Sequence, residues 1–303
     1  MYPSPVVETA AGSHIARDRF ESEALRGNPL GDPHVRDLPV YLPPGYARED
    51  RRYPTVYFLA AFMGSGAMEL NQNPFDETLQ QRLDRLILTG RIPEMIVVLP
   101  DPMTRYGGSQ FLNSSATGRY SDYLLELVQF VDARYRTRAD RDHRALLGKS
   151  SGGFGALIHA MRFPEWFGLV ADHSGDKYFE ICYPPLLPKL VELAARYDLG
   201  EVLADPQAFL RRGGYVFDLF YLLNVPAMCA AYSPNPSASR GFDMVVDLQT
   251  GKLNAAVWQR WLGHDPLRLA EQYADALKSL RLLYFDAGSR DEFNLHLGSR
   301  HYS

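Results

Sequence analysis

Residues 145–162 read ALLGKSSGGFGALIHAMR, and this stretch decides the fold. Its first four residues are apolar, as in a strand buried on both faces, and residues 151–162 form a helical pattern that stops before Pro164. Between the two, residues 148–152 fit the pattern G-x-S-x-G. In this strand–turn–helix setting the pattern predicts a sharp, strained turn that raises the Ser150 hydroxyl at the carboxyl edge of a sheet.

The glycines of this turn have a physical purpose. Positions without a Cβ let the strand and the helix pass closely, and the helix N-terminus directs amide donors towards the serine. The same letters also describe an ordinary Gly/Ser-rich turn that begins a helix. They resemble the end of a phosphate-binding loop as well, but that motif needs a glycine five residues before Gly148, where His143 stands. Nucleotide binding is therefore not expected.

The rest of the chain alternates between strand and helix patterns. Short apolar runs cover residues 55–60, 95–99, 169–172 and 281–285. Helical patterns cover residues 79–90, a stretch from an N-cap at Ser121 to Tyr135, and a stretch that opens at Asp265. This order predicts an α/β fold with a mostly parallel sheet and helices on both faces. Residues 178–263 break the rhythm and are interpreted as a helical, lid-like insertion between late strands.

Composition limits the class of protein. The chain has 303 residues, 46% of them hydrophobic, which predicts a single large domain with residues 1–35 as an N-terminal extension or first strand. A formal net charge of −4 argues against a nucleic-acid partner. Two cysteines, Cys182 and Cys229, make no disulfide framework, and no signal-peptide or membrane-span pattern is present. A cytoplasmic protein with no membrane partner is the expectation.

Three further residues complete the predicted catalytic group. Asp291 lies in the loop after the last apolar run and is the choice for the acid that orients a histidine, with Asp286 in reserve. The same carboxylate can also cap a helix, and the two roles do not exclude each other. Backbone amides of Ser151 and Phe62 are the predicted oxyanion donors, although the loop at residues 60–66 also reads as an ordinary glycine-containing turn.

Substrate contacts are harder to place. The loop after Asp101 contains Tyr106 and Gln110, which we select as substrate-binding candidates together with His173 at a strand end. A long polar loop without a binding role fits the same residues. Trp258 and Trp261 either line the pocket as part of a lid or form the core of the insertion.

Several motifs together resemble the esterase D and S-formylglutathione hydrolase-like branch of the α/β-hydrolases, which also holds enterochelin esterase-like proteins. They are YLPPGY (41–46), VYFLAAFMGSG (56–66), MIVVLPD (95–101), GKSSGGFGAL (148–157) and GSRDEFNL (288–295). The resemblance implies a three-layer sandwich and hydrolysis of small carboxylic esters or thioesters through an acyl-enzyme on Ser150, with Asp291 as the acid. It implies no metal or organic cofactor, and it is compatible with a homodimer. Relatives often have His-Gly or Ser-Gly where this chain has Ala60-Ala61, so the oxyanion hole is expected to differ in shape.

The catalytic base is the missing part of this pattern. None of the eight histidines stands where the family keeps its base, and His173 comes nearest to the expected edge. Relatives place the histidine after one more helix and strand. We therefore expect a C-terminal strand and the base to lie beyond residue 303 and the chain as given to be impaired. An acyltransferase on the same site and a non-catalytic binding protein of the same fold are the alternatives.

Overall fold

A seven-stranded sheet lies at the centre of the protein, whose computed structural model describes residues 12–303. Its strands, in chain order, are β1 (His14–Glu21), β2 (Val35–Leu42), β3 (Thr55–Leu59), β4 (Ile96–Val98), β7 (Arg144–Lys149), β8 (Leu169–His173) and β9 (Leu282–Asp286), and two short strands, β5 (Asn113–Ser114) and β6 (Gly118–Arg119), pair separately. The spatial order is β1-β2-β4-β3-β7-β8-β9. β1 and β2 run antiparallel to their neighbours, and the other five are parallel. The predicted mostly parallel sheet is confirmed.

Twelve α-helices are described, and three short 3-10 helices cover Gly66–Leu70, Arg141–His143 and Pro184–Leu186. The α-helices are α1 (Leu79–Leu88), α2 (Tyr120–Arg134), α3 (Ser151–Arg162), α4 (Phe179–Cys182), α5 (Leu187–Ala194), α6 (Leu199–Ala204), α7 (Pro206–Arg211), α8 (Val216–Tyr232), α9 (Ala255–Leu262), α10 (Pro266–Leu269), α11 (Ala274–Lys278) and α12 (Leu295–Tyr302). No helix within residues 12–303 has the length and apolar character needed to cross a bilayer.

Helices cover both faces of the sheet. On one face, Leu124 and Val128 of α2 and Ala156 of α3 pack against strand side chains such as Leu146. On the other face, α1 contributes Leu79, Leu83 and Ile87, which pack against Tyr41, Val97 and Leu99. Burial of apolar side chains in these two interfaces is the main favourable contribution to stability. The three-layer arrangement is the one that the sequence predicts.

The segment between β8 and β9 is helical, as expected. Helices α4 to α9 occupy most of it, and their apolar side chains share one core with Phe154 and Ile158 on the outer face of α3. Trp258 and Trp261 are buried within this core. That residues 178–263 form a lid-like insertion within a single domain stays a prediction.

Two details of the helix predictions are wrong. Ser121 does not cap α2: the helix already includes Tyr120, and the Ser121 hydroxyl donates instead to the Phe111 carbonyl over 2.8 Å. Asp265 does cap a helix, accepting from the Leu267 amide over 3.0 Å, but that helix ends at Leu269. Nothing in the local sequence explains the break before α11.

Strand β9 is the last strand of the sheet. Leu282 and Tyr284 on it are 46% and 50% exposed, and within residues 12–303 no strand pairs with its outer edge. The carboxyl ends of β3, β7, β8 and β9 meet at one edge, which is where open α/β sheets bind ligands.

Candidate active site

Ser150 stands on a strained turn between β7 and α3. Its φ of 55° and ψ of −122° lie outside the regions that L-residues normally occupy. Its amide donates to the His173 carbonyl over 3.0 Å, and its carbonyl accepts from the Phe154 amide over 2.9 Å. These two hydrogen bonds hold the strained backbone in place from both sides.

Close packing around the turn explains its glycines. A Cβ on Gly148 would lie 2.1 Å from the Gly152 carbonyl oxygen, and a Cβ on Gly152 would lie 1.9 Å from that of Leu59. Both distances are far below contact distance for carbon and oxygen. Helix α3 can therefore begin against the ends of β3 and β7 only because these positions lack side chains.

A pocket of about 340 Å³ opens at Ser150, a size that suits a small organic ligand. It brings together four residues that the sequence selects: Ser150, Ser151, Phe62 and Asp291. The remaining lining residues are Ala61, Lys149, Ser174, Asp176, Cys182, Tyr183, Leu186, Phe220, Asn224, Arg290, Glu292, Phe293 and Leu295. Five of these belong to the insertion, which therefore forms one wall.

Two backbone amides at the pocket are available for a ligand. Neither the Phe62 nor the Ser151 amide donates to an acceptor among the described residues. The next two amides of the same loop are engaged, because Met63 donates to Gly107 over 2.7 Å and Gly64 donates to Ala61 over 2.9 Å. The loop is thus fixed in a shape that leaves the Phe62 amide free.

The two candidate acids have different surroundings. Asp291 lines the pocket, and its Oδ1 accepts from the amides of Phe293 and Leu295 over 2.9 and 3.1 Å. Its Oδ2 has no hydrogen-bond partner within residues 12–303. Asp286 lies outside the pocket, and its Oδ1 is hydrogen-bonded to His173 Nδ1. Asp291 is not the N-cap of α12, which is Asn294, but it accepts from the first amide of that helix and keeps one oxygen unpaired among the described residues.

No histidine lines the pocket in the described part of the chain. His173 lies at the end of β8 with its ring directed to Asp286, and its side chain is 51% exposed. Its backbone, and not its ring, is the part that contacts Ser150. Within residues 12–303 the structure thus places no histidine ring in the pocket of Ser150.

The other two substrate candidates lie behind the pocket wall. Tyr106 is buried and packs edge-on against Phe242, with ring centroids 5.9 Å apart. Gln110 is also buried, and its Nε2 donates to Asp176 over 3.0 Å and to Tyr232 over 2.8 Å. Neither side chain is among the lining residues.

A buried polar cluster lies at this wall, and of its members the sequence predicts a role only for Gln110. Asp176 accepts from Gln110 and from the Tyr183 hydroxyl, each over 3.0 Å. Burial raises the pKa of the Asp176 carboxyl to about 6, although these two hydrogen bonds act in the opposite direction. The position of Asp176, three residues after the carboxyl end of β8, is the sequence signal that could have identified it.

Comparison with known proteins supplies the broader context. A family model described as "Putative esterase" matches residues 33–299. Over 159 residues the chain is 31% identical to an esterase of Mycobacterium tuberculosis, an alignment that covers 52% of this chain and 31% of that protein. The chain thus spans about a third of the length of this relative.

Two solved structures share the fold over nearly the whole chain. A ferulic acid esterase superposes with a TM-score of 0.58 at 17% identity and covers 96% of this chain and 84% of its own. A fluorophosphonate-binding serine hydrolase of Staphylococcus aureus superposes with a TM-score of 0.54 at 15% identity, covering 96% and 85%. The predicted α/β-hydrolase fold is confirmed.

Proposed function

This chain belongs to the esterase family, as its motifs predict, and from that premise we propose that it is a serine hydrolase of small carboxylic esters or thioesters acting through an acyl-enzyme on Ser150. One observation carries the proposal. The pocket at the strained turn holds the Ser150 side chain, the free amides of Ser151 and Phe62, and the carboxylate of Asp291. These are the nucleophile, the oxyanion donors and the orienting acid of acyl transfer to serine, which needs a base in addition.

The proposed reaction has two steps. The Ser150 oxygen attacks the carbonyl carbon of the ester and loses its proton to a base, and the alcohol or thiol leaves with a proton. Water then attacks the acyl-serine ester, which releases the acid and restores the hydroxyl. In both steps the carbonyl oxygen becomes negative, and the amides of Phe62 and Ser151 donate to it. Each such donor lowers the barrier by about 3 kcal/mol.

Asp291 is the proposed positioning residue for the base. Its Oδ1 is held by two amides, so its free Oδ2 is left to accept an N–H from an imidazole. Since no histidine ring within residues 12–303 lines the pocket, we propose that this chain by itself turns over slowly. Loss of the histidine costs about a millionfold in turnover in a well-measured serine hydrolase.

External imidazole tests the proposal directly. We expect imidazole to accelerate 4-nitrophenyl acetate hydrolysis by the wild-type chain beyond the sum of the rates with protein alone and imidazole alone. The Ser150→Ala chain should show no such excess, because it has a pocket but no nucleophile. An equal excess in both chains would mean that the hydrolysis does not use Ser150.

Other properties stay predictions. The substrate is a small ester of a size that fits the pocket. A cytoplasmic location, homodimer formation and the lack of nucleic-acid binding rest on the sequence alone.

A further inference from the structure

Two buried polar side chains in the pocket are not used by the proposed reaction. Asp176 and Asn224 both line it, and they are only 8% and 7% exposed. Asp176 follows β8, whereas Asn224 lies on α8 of the insertion, so the two approach the pocket from different parts of the fold. Polar groups buried to this degree normally have hydrogen-bond partners.

Of the two carboxylate oxygens of Asp176, one is hydrogen-bonded to described residues and the other is not. Its Oδ2 accepts from Gln110 and Tyr183, and its Oδ1 has no partner among the described residues. The Oδ1 atom is not sealed from the pocket, unlike the unpartnered polar atoms of the core. The cluster behind it holds the carboxylate rigidly, since Tyr183 and Tyr232 are also hydrogen-bonded to each other over 2.9 Å.

The Asn224 side chain forms no hydrogen bond within residues 12–303; its Oδ1 is completely buried, whereas its Nδ2 is not among the fully buried polar atoms. Leaving such a group unpaired costs roughly 1–3 kcal/mol. The neighbouring residues on α8 are largely apolar, and a leucine would fit there without this cost. The Nδ2 group is the part of this amide that a ligand in the pocket can reach, and its unpaired N–H donors indicate an acceptor that arrives with the ligand.

We propose that Asp176 and Asn224 form a subsite for a hydroxyl group of the ester substrate. A hydroxyl donates one hydrogen bond and accepts others, so it can donate to the Asp176 carboxylate and accept from the Asn224 amide. An ammonium group can only donate, and an alkyl chain can do neither. The inference rests on the proposed function for the identity of the ligand as an ester, but its test does not depend on hydrolysis.

Binding to the Ser150→Ala chain measures the subsite without chemistry. Two matched series place the hydroxyl on either side of the ester: methyl hexanoate against methyl 6-hydroxyhexanoate, and hexyl acetate against 6-hydroxyhexyl acetate. Methyl 6-aminohexanoate supplies the ammonium counterpart. In ligand-observed NMR titrations we expect the hydroxylated ester to bind about tenfold more tightly than its alkyl partner in one of the series.

Variants assign that preference to the subsite. Asn224→Leu in the Ser150→Ala background should reduce the preference for the hydroxylated ester over its alkyl partner to about twofold or less. The reason is that one of the two hydrogen bonds to the hydroxyl is lost. Asp176→Asn should reduce it roughly threefold, because a neutral acceptor replaces a charged one. Gln207→Leu, on the exposed face of α7 and away from the pocket, is the matched control and should leave it unchanged.

Three results would overturn the proposal. These are the absence of any hydroxyl preference in both series, a preference that survives in folded Asn224→Leu and Asp176→Asn chains, and tighter binding of the ammonium ester than of the hydroxylated one. Circular dichroism verifies that each variant is folded. If Asn224→Leu does not fold, the binding preference of the Asp176→Asn chain alone tests the proposal. A chain that binds as expected but never hydrolyses an ester would contradict the proposed function and leave the subsite supported.

Discussion

Gly152 faces Leu59 so closely that a Cβ on the glycine would lie 1.9 Å from the leucine carbonyl oxygen. The contact joins the first turn of α3 to the end of β3, which lies next to β7 in the sheet. It determines how near the helix N-terminus comes to the sheet edge, and with it the height of Ser150 above that edge. The geometry of the pocket thus depends on a missing side chain.

Substitution of this glycine should therefore be costly. We expect Gly152→Ala to lower the free energy of unfolding by about 3 kcal/mol or more, since the backbone atom it meets cannot rotate away as a side chain would. Urea denaturation with an unchanged m-value measures the effect. Gly288→Ala is the matched control, because nothing lies within 4 Å of the Cβ it would add, and it should change stability by less than about 0.5 kcal/mol. Equal stability of the two variants would mean that α3 is not packed as closely as described.

A buried ion pair joins β8 to the segment that follows it. Lys177 Nζ lies 2.8 Å from Asp172 Oδ2, and both side chains are fully buried. The ammonium approaches off the line of a good hydrogen bond, so the contact is mainly electrostatic. We expect Lys177→Met to destabilise the protein by about 3–5 kcal/mol, because it leaves the carboxylate buried without a counter-charge.

The double variant Asp172→Asn/Lys177→Met is the control for this pair. Removing both charges eliminates the uncompensated carboxylate, so at least half of the lost stability should return. Urea denaturation of the wild-type protein and both variants supplies the comparison. A double variant less stable than Lys177→Met would show that the pair is not the source of the loss.

Asp176 should make stability depend on pH. Its folded-state pKa of about 6 lies above the ordinary value of 3.8, so the folded protein holds this proton more tightly than the unfolded chain does. Its contribution to stability is therefore present below about pH 4 and is lost as the pH rises through 6. The Asp176→Asn variant carries no such titration. Relative to wild type it should gain stability between pH 4 and pH 7, by up to about 3 kcal/mol.

The measurement is the difference in unfolding free energy between the two chains across that pH range. Other groups titrate equally in both chains and cancel in the difference. A difference that stays flat, or that favours wild type more as the pH rises, would mean that burial does not raise the pKa of the Asp176 carboxyl.

His173 should matter little to the reactivity of Ser150. Its Nδ1 is bonded to Asp286, and its half-exposed ring lies outside the pocket. We expect His173→Gln to change the rate of Ser150 acylation by less than about threefold, because the ring lies outside the pocket. Acylation rates of the two chains with 4-nitrophenyl acetate provide the test, and a loss of a hundredfold or more would identify His173 as the base.

Local patterns explain what the sequence could predict. The strand before Ser150 and the helix after it follow from residues 145–162, because apolar runs, glycines and a following proline act over short distances. Asp291 and the loop that contains Phe62 each follow an apolar strand pattern in the sequence, and this predicts that both lie near the sheet edge. Helix boundaries depend on more distant contacts, and for that reason the start of α2 is misplaced.

The polar subsite illustrates what the sequence could not predict. Asp176 and Asn224 are separated by a long, irregular helical insertion, and only its packing brings both to one pocket. An asparagine in an apolar helix stands out in the sequence, but nothing there indicates whether its amide finds a partner. That answer needs the hydrogen bonds of the folded chain.

Labelling by a fluorophosphonate tests the central claim, that Ser150 is the nucleophile of this pocket, most directly. Intact mass and peptide mapping should show one adduct, on Ser150, which forms faster when imidazole is added. Ser174→Ala, a change to another serine of the pocket, should leave the adduct in place, whereas Ser150→Ala should abolish it. A folded wild-type chain that gains no adduct at Ser150 even with imidazole, or an adduct that persists in Ser150→Ala, would contradict the account.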